Sequence, residues 1–143
     1  ACLLHDVSWR AHPDFRAEVC FEYATRANLG GLSHEERIFL GLALLHRYRN
    51  SREGTRFEEL LTLLDEAGQK QAEILGKAMR LGAMLWADPD DETAQLDWSA
   101  KTKTLSLTLT AEASPLFGEV AEARLRSLAS SLNAKLRTDM RLT

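Results

Sequence analysis

Eight consecutive apolar residues, Ile38-Phe39-Leu40-Gly41-Leu42-Ala43-Leu44-Leu45, leave this chain few ways to fold. They follow Ser33-His34-Glu35-Glu36, a capping-box pattern in which the Ser33 hydroxyl satisfies an orphan N–H of the first helical turn and the Glu36 carboxylate reaches back to the cap amide. A helix begun there is apolar nearly all round, so it must be central and buried, with other elements packed about it. Its end turns abruptly basic at His46, Arg47 and Arg49.

The flanking segments read as further helices. Ala1 to Trp9 is apolar except for His5, Asp6 and Ser8; because it opens on Ala1 rather than Met, it reads as the middle of a helix whose beginning has been removed. It ends at His12-Pro13, since proline disfavours α geometry in the residue before it, and Pro13 suits the first turn of a new helix. There Phe15, Val19 and Tyr23 recur at four-residue spacing, with Cys20 beside them, which predicts an apolar face opposite Arg16, Glu18 and Glu22. Asn28 to Gly31 stops it. Thr55 with Glu58 repeats the capping signature, and Leu60, Leu61, Leu63 and Leu64 carry a short helix to Gly68. Gln69 to Trp86 is the longest helical candidate, with Ile74, Leu75, Ala78, Leu81 and Leu85 inward and Lys77 and Arg80 flanking them.

The texture changes at Asp88-Pro89-Asp90-Asp91-Glu92, an acidic turn that places the one subdomain boundary. Beyond it the period becomes two. Leu96 and Trp98, then Leu105, Leu107 and Leu109, alternate with polar residues, predicting a hairpin that turns through Ser99 to Lys103. Ser114-Pro115 opens a helix through Val120, Leu125, Leu128 and Leu132, and Arg137 to Thr143 suits a last short strand.

Balance matters more than sign in the charge: 18 Lys plus Arg against 21 Asp plus Glu give no global field toward DNA or an anionic membrane, so any polyanion site is a local patch. No stretch has the roughly twenty apolar residues of a membrane helix, and the start lacks a signal peptide's basic and apolar runs, so a cytoplasmic location is expected. Cys2 and Cys20, without CxxC spacing, read as reduced core thiols, and Trp9, Trp86 and Trp98 as core or interface packing. There is no phosphate-cradling glycine loop, nucleophile elbow or zinc spacing.

Two features bear on chemistry. Leu4-His5-Asp6-Val7 matches the adjacent His-Asp dyad that supplies two ligands to a divalent metal in HD-type phosphohydrolase domains. The competing reading gives His5 and Asp6 hydrogen bonds that tie segments together. The second feature is the basic run His46-Arg47-Tyr48-Arg49, continued by Arg52 and Arg56, where cations complement a helix C-terminus and guanidinium forks suit phosphate oxygens. Arg10, Arg16 and Arg26 join the patch if their helices pack against it. Lys77 and Arg80, three residues apart, suit one anion or a snorkelling pair equally.

The order Cys2-Leu3-Leu4-His5-Asp6-Val7-Ser8-Trp9, His12 to Glu18, Leu42 to Arg49 and Lys77-Ala78-Met79-Arg80-Leu81, with Leu105 to Leu109 and Glu122-Ala123-Arg124-Leu125 closing the chain, resembles the C-terminal region of the exopolyphosphatase and guanosine pentaphosphate phosphohydrolase family, particularly its α-proteobacterial type. The resemblance covers essentially the whole chain. It implies a mostly α fold: an HD-like helical bundle over residues 1–88, its first helix truncated, with a small strand-strand-helix appendage of α+β character over 89–143. It also implies a parent hydrolase of phosphoanhydride bonds whose actin-like N-terminal lobes, absent here, bind phosphate chains and Mg²⁺ or Mn²⁺, with no cofactor held by this region itself. The expected role is accessory: polyphosphate or guanosine pentaphosphate contact through His46, Arg47, Arg49 and Arg52, and homodimer assembly, without catalysis by this region alone. The alternatives are a metal-dependent HD phosphohydrolase using His5 and Asp6, and a purely structural or dimerisation module.

Overall fold

The computed structural model describes residues 1–86 and 93–141, without the side chains of Leu116 and Arg141. Five helices, α1 (Arg16–Arg26), α2 (His34–Tyr48), α3 (Glu58–Leu61), α4 (Glu66–Leu85) and α5 (Glu119–Ser131), precede or alternate with three strands, β1 (Ala94–Ser99), β2 (Thr104–Thr110) and β3 (Lys135–Arg141). This is the mostly helical α+β fold that the sequence predicts. The chain forms two compact units, Ala1–Met79 and Arg80–Thr143, divided within α4. The acidic turn at 88–92, where the sequence places a boundary, lies outside the described residues. No described helix is long and apolar enough to cross a membrane.

In the first unit α2 begins at its capping box: Ser33 Oγ accepts from the Glu36 N–H at 3.2 Å, and Glu36 Oε2 accepts from the Ser33 N–H at 2.7 Å. Leu42, Leu44 and Leu45 have no exposed surface, and each buried leucine contributes roughly 2 kcal/mol by removal from water. Against α2 lies α1, through a stripe other than the expected one. Ala17, Cys20, Phe21 and Ala24 are buried, whereas Phe15, Val19 and Tyr23 are 61, 37 and 45% exposed. Small side chains decide this. Ala17, Cys20 and Ala24 let α1 approach α2 closely, and a Cβ on Gly41 would lie 3.0 Å from the Phe21 ring. Phe21 also stacks on Phe57 with ring centroids 4.3 Å apart.

Cys2–Leu4 is a 3-10 turn followed by further tight turns rather than an α-helix, held by i to i−3 bonds at Leu4, Val7, Trp9 and Ala11. His5 Nδ1 lies 2.6 Å from the Cys2 carbonyl, occupying the acceptor that an α-helix would offer to Asp6. The second capping signature also fails. Phe57, not Thr55, precedes α3; the Thr55 hydroxyl is buried with no hydrogen-bond partner among the described residues, and Glu58 Oε1 takes the Gly54 N–H instead. Helix α4 starts earlier than expected because Asp65 Oδ1 accepts the Gly68 N–H at 2.7 Å, so Gly68 sits in a first turn rather than ending a helix.

In the second unit β1 and β2 form the predicted antiparallel hairpin, with Leu96 opposite Leu107 and Trp98 opposite Leu105; its turn ends on Lys103 at φ 50°. β3 pairs parallel to β2, Thr104 with Lys135 through Thr110 with Arg141, so β2, α5 and β3 make a crossover unit and β2 is central. Leu105, Leu107 and Leu109 are buried, as are Ala121, Leu125, Leu128 and Ala129 of α5. Ser114-Pro115 opens only a 3-10 turn; Gly118 precedes α5, which leaves Val120 exposed rather than inward. Arg124 Nη1 donates to the Arg80 carbonyl at 3.0 Å and Trp86 Nε1 to Ala94 at 2.9 Å. Trp9 and Trp98 are exposed, so neither belongs to the core, and Arg10 lies 5.0 Å over the Trp9 ring.

Candidate functional site

The end of α2 and the first turns of α4 enclose a cavity of about 400 Å³. From α2 and the loop after it come His46, Asn50, Ser51, Arg52 and Glu53; from α4 come Glu66, Gln69, Lys70 and Glu73. The α4 residues recur at three- and four-residue steps, so one helix face points at the cavity. The contact that sets this geometry is backbone-close: a Cβ on Gly76 would lie 2.5 Å from the His46 Cβ and 3.1 Å from the Arg47 nitrogen. Glu73 and Lys77, one turn apart around Gly76, are thereby brought to the His46 side of α2.

Arg52 is held in place. Its Nη1 donates to Gln69 Oε1, and Gln69 Nε2 donates to the carbonyls of Leu61 and Leu64 at 2.8 and 2.9 Å. One amide thus satisfies carbonyls at and just beyond the end of α3 and fixes a guanidinium. Glu73 takes Lys77 at 2.6 Å and Lys70 at 3.3 Å. His46 is 3% exposed and its Nδ1 has no hydrogen-bond partner among the described residues. Burial lowers its pKa most; Glu73 opposes this, Lys77 lowers it further, the Arg49 backbone raises it and Arg52 lowers it. Arg52 and Lys70 face Glu53, Glu66 and Glu73 around the cavity, so it is mixed in sign rather than uniformly basic.

The predicted basic set divides. His46 and Arg52 line the cavity, while Arg47 lies 5.0 Å over the Tyr48 ring and Arg49, exposed, donates to the Glu53 carbonyl at 3.1 Å. Arg56 pairs with Glu18 and Glu22, and Arg26 with Glu22. Arg16 ties down the first segment by donating to Trp9 and Ala11. Sequence reasoning missed Gln69, Lys70, Glu66 and Glu73.

His5 and Asp6 are exposed and lie near the other side of α2's end, where Tyr48 Oη donates to the His5 carbonyl at 2.5 Å. Cys20 Sγ contacts Ser8 Oγ at 3.0 Å there, and burial raises the Cys20 thiol and the Tyr48 hydroxyl above their ordinary pKa values. Cys2 is exposed, so it is not the core thiol the sequence suggests. Among the described residues no group of three or more His, Cys, Asp or Glu side chains is placed to hold a metal ion.

The family described as "Exopolyphosphatase, C-terminal" matches residues 1–138. No curated protein matches the chain.

Proposed function

The chain belongs to the exopolyphosphatase C-terminal family, and from that premise we propose that it is an accessory region which contributes cations to a phosphate chain held mainly by catalytic lobes of the same protein. The observation that carries this reading is the Arg52–Gln69 link, because a guanidinium fixed beside an open cavity binds phosphate oxygens without first losing rotamer freedom. Lys70 lines the same cavity, and Arg49 stands exposed on the adjoining loop. With three carboxylates against two permanent cations around the cavity, affinity for polyphosphate or guanosine pentaphosphate is weak and falls with salt. His46, buried and with its pKa lowered, helps to build the cavity rather than supplying charge.

The test is an NMR titration with polyphosphate at low and moderate salt. Shifts centred on residues 50–53 and 69–70 that fade with salt, and that disappear in the double variant Arg52→Ala, Lys70→Ala but not in Arg126→Ala, are expected. Unchanged affinity in the double variant would overturn the assignment.

A second reading, assembly, is favoured by the exposed stripe of Phe15, Val19 and Tyr23, an apolar row left along α1 and the turn before it once the small residues have turned inward. It suits packing against the catalytic lobes. Replacing Val19 and Tyr23 with Glu should leave the isolated chain folded and abolish capture of separately produced lobes; retained capture would exclude this stripe.

A further inference from the structure

We propose that the hairpin end of the second unit's sheet is a docking surface for an anionic lipid bilayer, with Trp98 and Leu136 meeting the headgroup layer and Lys101, Lys103 and Lys135 meeting lipid charge. The surface lies wholly within the second unit and does not depend on the phosphate-chain reading.

Strand register places these residues together. Trp98 pairs with Leu105, and Leu105 with Leu136, so the three form one row across β1, β2 and β3 on a single face of the sheet. Leu105, in the middle, is buried; Trp98 and Leu136, on the two edge strands, are 43 and 37% exposed. Strand spacing sets them roughly 10 Å apart. One further row, Ser99, Thr104 and Lys135, separates them from the turn that carries Lys101 and Lys103. The Lys135 N–H donates to the Lys103 carbonyl at 2.7 Å, which fastens the start of β3 to that turn.

Charge at this end is one-sided. Residues 99–106 and 130–138 hold Lys101, Lys103, Lys135 and Arg137 and no carboxylate. The last turn of α5, which leads into β3, adds no charge. Arg137 is already taken by Asp139 at 2.7 Å. The three lysines are exposed and make no ion pair among the described residues. By strand alternation the nearest carboxylates, Asp97 and Asp139, stand on the face opposite Trp98 and Leu136. In a chain whose net charge is -3, this end is a local exception.

Two kinds of group at one place decide the occupant. A phosphate chain alone would engage the lysines and leave Trp98 and Leu136 in water. A single-stranded nucleic acid would add stacking on Trp98, but Leu136 is aliphatic and offers no stacking platform. An anionic bilayer uses every one of them. Indole rings settle at the headgroup level and leucine reaches the apolar material below it, while lysine stems lie along the interface with their ammonium groups on the lipid charge. With so little apolar surface the attachment is reversible, and it falls with salt.

The experiment is cosedimentation of the intact chain with vesicles of phosphatidylcholine alone and of equal parts phosphatidylcholine and phosphatidylserine. The chain should bind the second kind and not the first. Lys101→Glu with Lys103→Glu should weaken binding at least about twentyfold, from about fivefold for each lysine at an anionic surface. Trp98→Ser should weaken it about tenfold. Trp98→Phe, which keeps an apolar ring, should still bind, and brominated lipid should quench the emission of the parent by a larger fraction than that of Trp98→Phe; a folding defect does not mimic that difference. Equal binding to both kinds of vesicle, loss of binding in Trp9→Ser but not in Trp98→Ser, or capture of a single-stranded oligonucleotide with vesicles ignored, overturns the proposal.

Discussion

A Cβ built on Gly76 of α4 falls 2.5 Å from the His46 Cβ on α2, so the two helices touch where no side chain fits between them. Alanine at position 76 gains roughly 1 kcal/mol of helix propensity but must push α4 off the α2 backbone, an overpacking cost of roughly 1–3 kcal/mol or more. We expect Gly76→Ala to lose up to about 2 kcal/mol in urea unfolding. Because the displaced face carries Glu73 and Lys70, the cavity should open too. A variant as stable as the parent would mean that the helices slide apart freely.

Gln69 joins two jobs in one side chain, satisfying the Leu61 and Leu64 carbonyls and holding Arg52. Gln69→Leu removes all three bonds at similar volume. A loss of roughly 1–3 kcal/mol is expected, since the partners are only part-buried and water replaces some of the bonding. The Arg52 guanidinium should gain mobility, visible in its side-chain NMR relaxation. Unaltered Arg52 dynamics would show that something other than Gln69 fixes it.

His46 makes stability depend on pH. Burial, the main cause, holds its folded pKa below the ordinary value, so between the two the unfolded chain binds more protons. Its contribution is therefore fully present above about pH 6.5 and is lost as pH falls through that value toward the folded pKa. Urea midpoints measured at a series of pH values should decline through this range in the parent and less so in His46→Gln. Parallel curves would exclude His46 as the source.

The two thiols should react at very different rates. Cys2 is exposed, whereas Cys20 is fully buried, contacts Ser8 and has a raised pKa. One equivalent of a disulfide reagent should be consumed quickly and the second only as the chain unfolds. In Cys2→Ser the fast phase should vanish.

Much of the first unit was legible where two signals agreed. At α2 the capping box and the apolar run point to one helix, and the structure forms both. The β2 alternation was equally plain, because a strand buried on one face has only two possible patterns. The face of α1 was misread because Phe15, Val19 and Tyr23 are bulkier than Ala17, Cys20 and Ala24; burial went to the stripe that lets backbones approach, which a hydrophobicity pattern does not weigh. Half of the cavity was legible as the basic run at His46 and Arg52. The other half was not, since Glu66 and Gln69 lie in the first turns of a helix whose start depends on the Asp65 side chain. Nor does adjacency in sequence show that Arg47 and His46, neighbours on α2, face different surroundings.

The division of labour along α2 has a consequence for how such a chain can diverge. Its apolar middle is locked by close backbone approaches at Gly41 and Gly76, where almost any added volume is felt, while its last turn and the loop beyond carry the charges. Substitutions at Arg49, exposed just beyond the helix, should therefore disturb packing little, and substitutions in the middle can rarely be neutral. Close packing reaches along the helix as far as His46 and the Arg47 nitrogen, so the freedom to change charge begins only beyond the helix, at exposed Arg49.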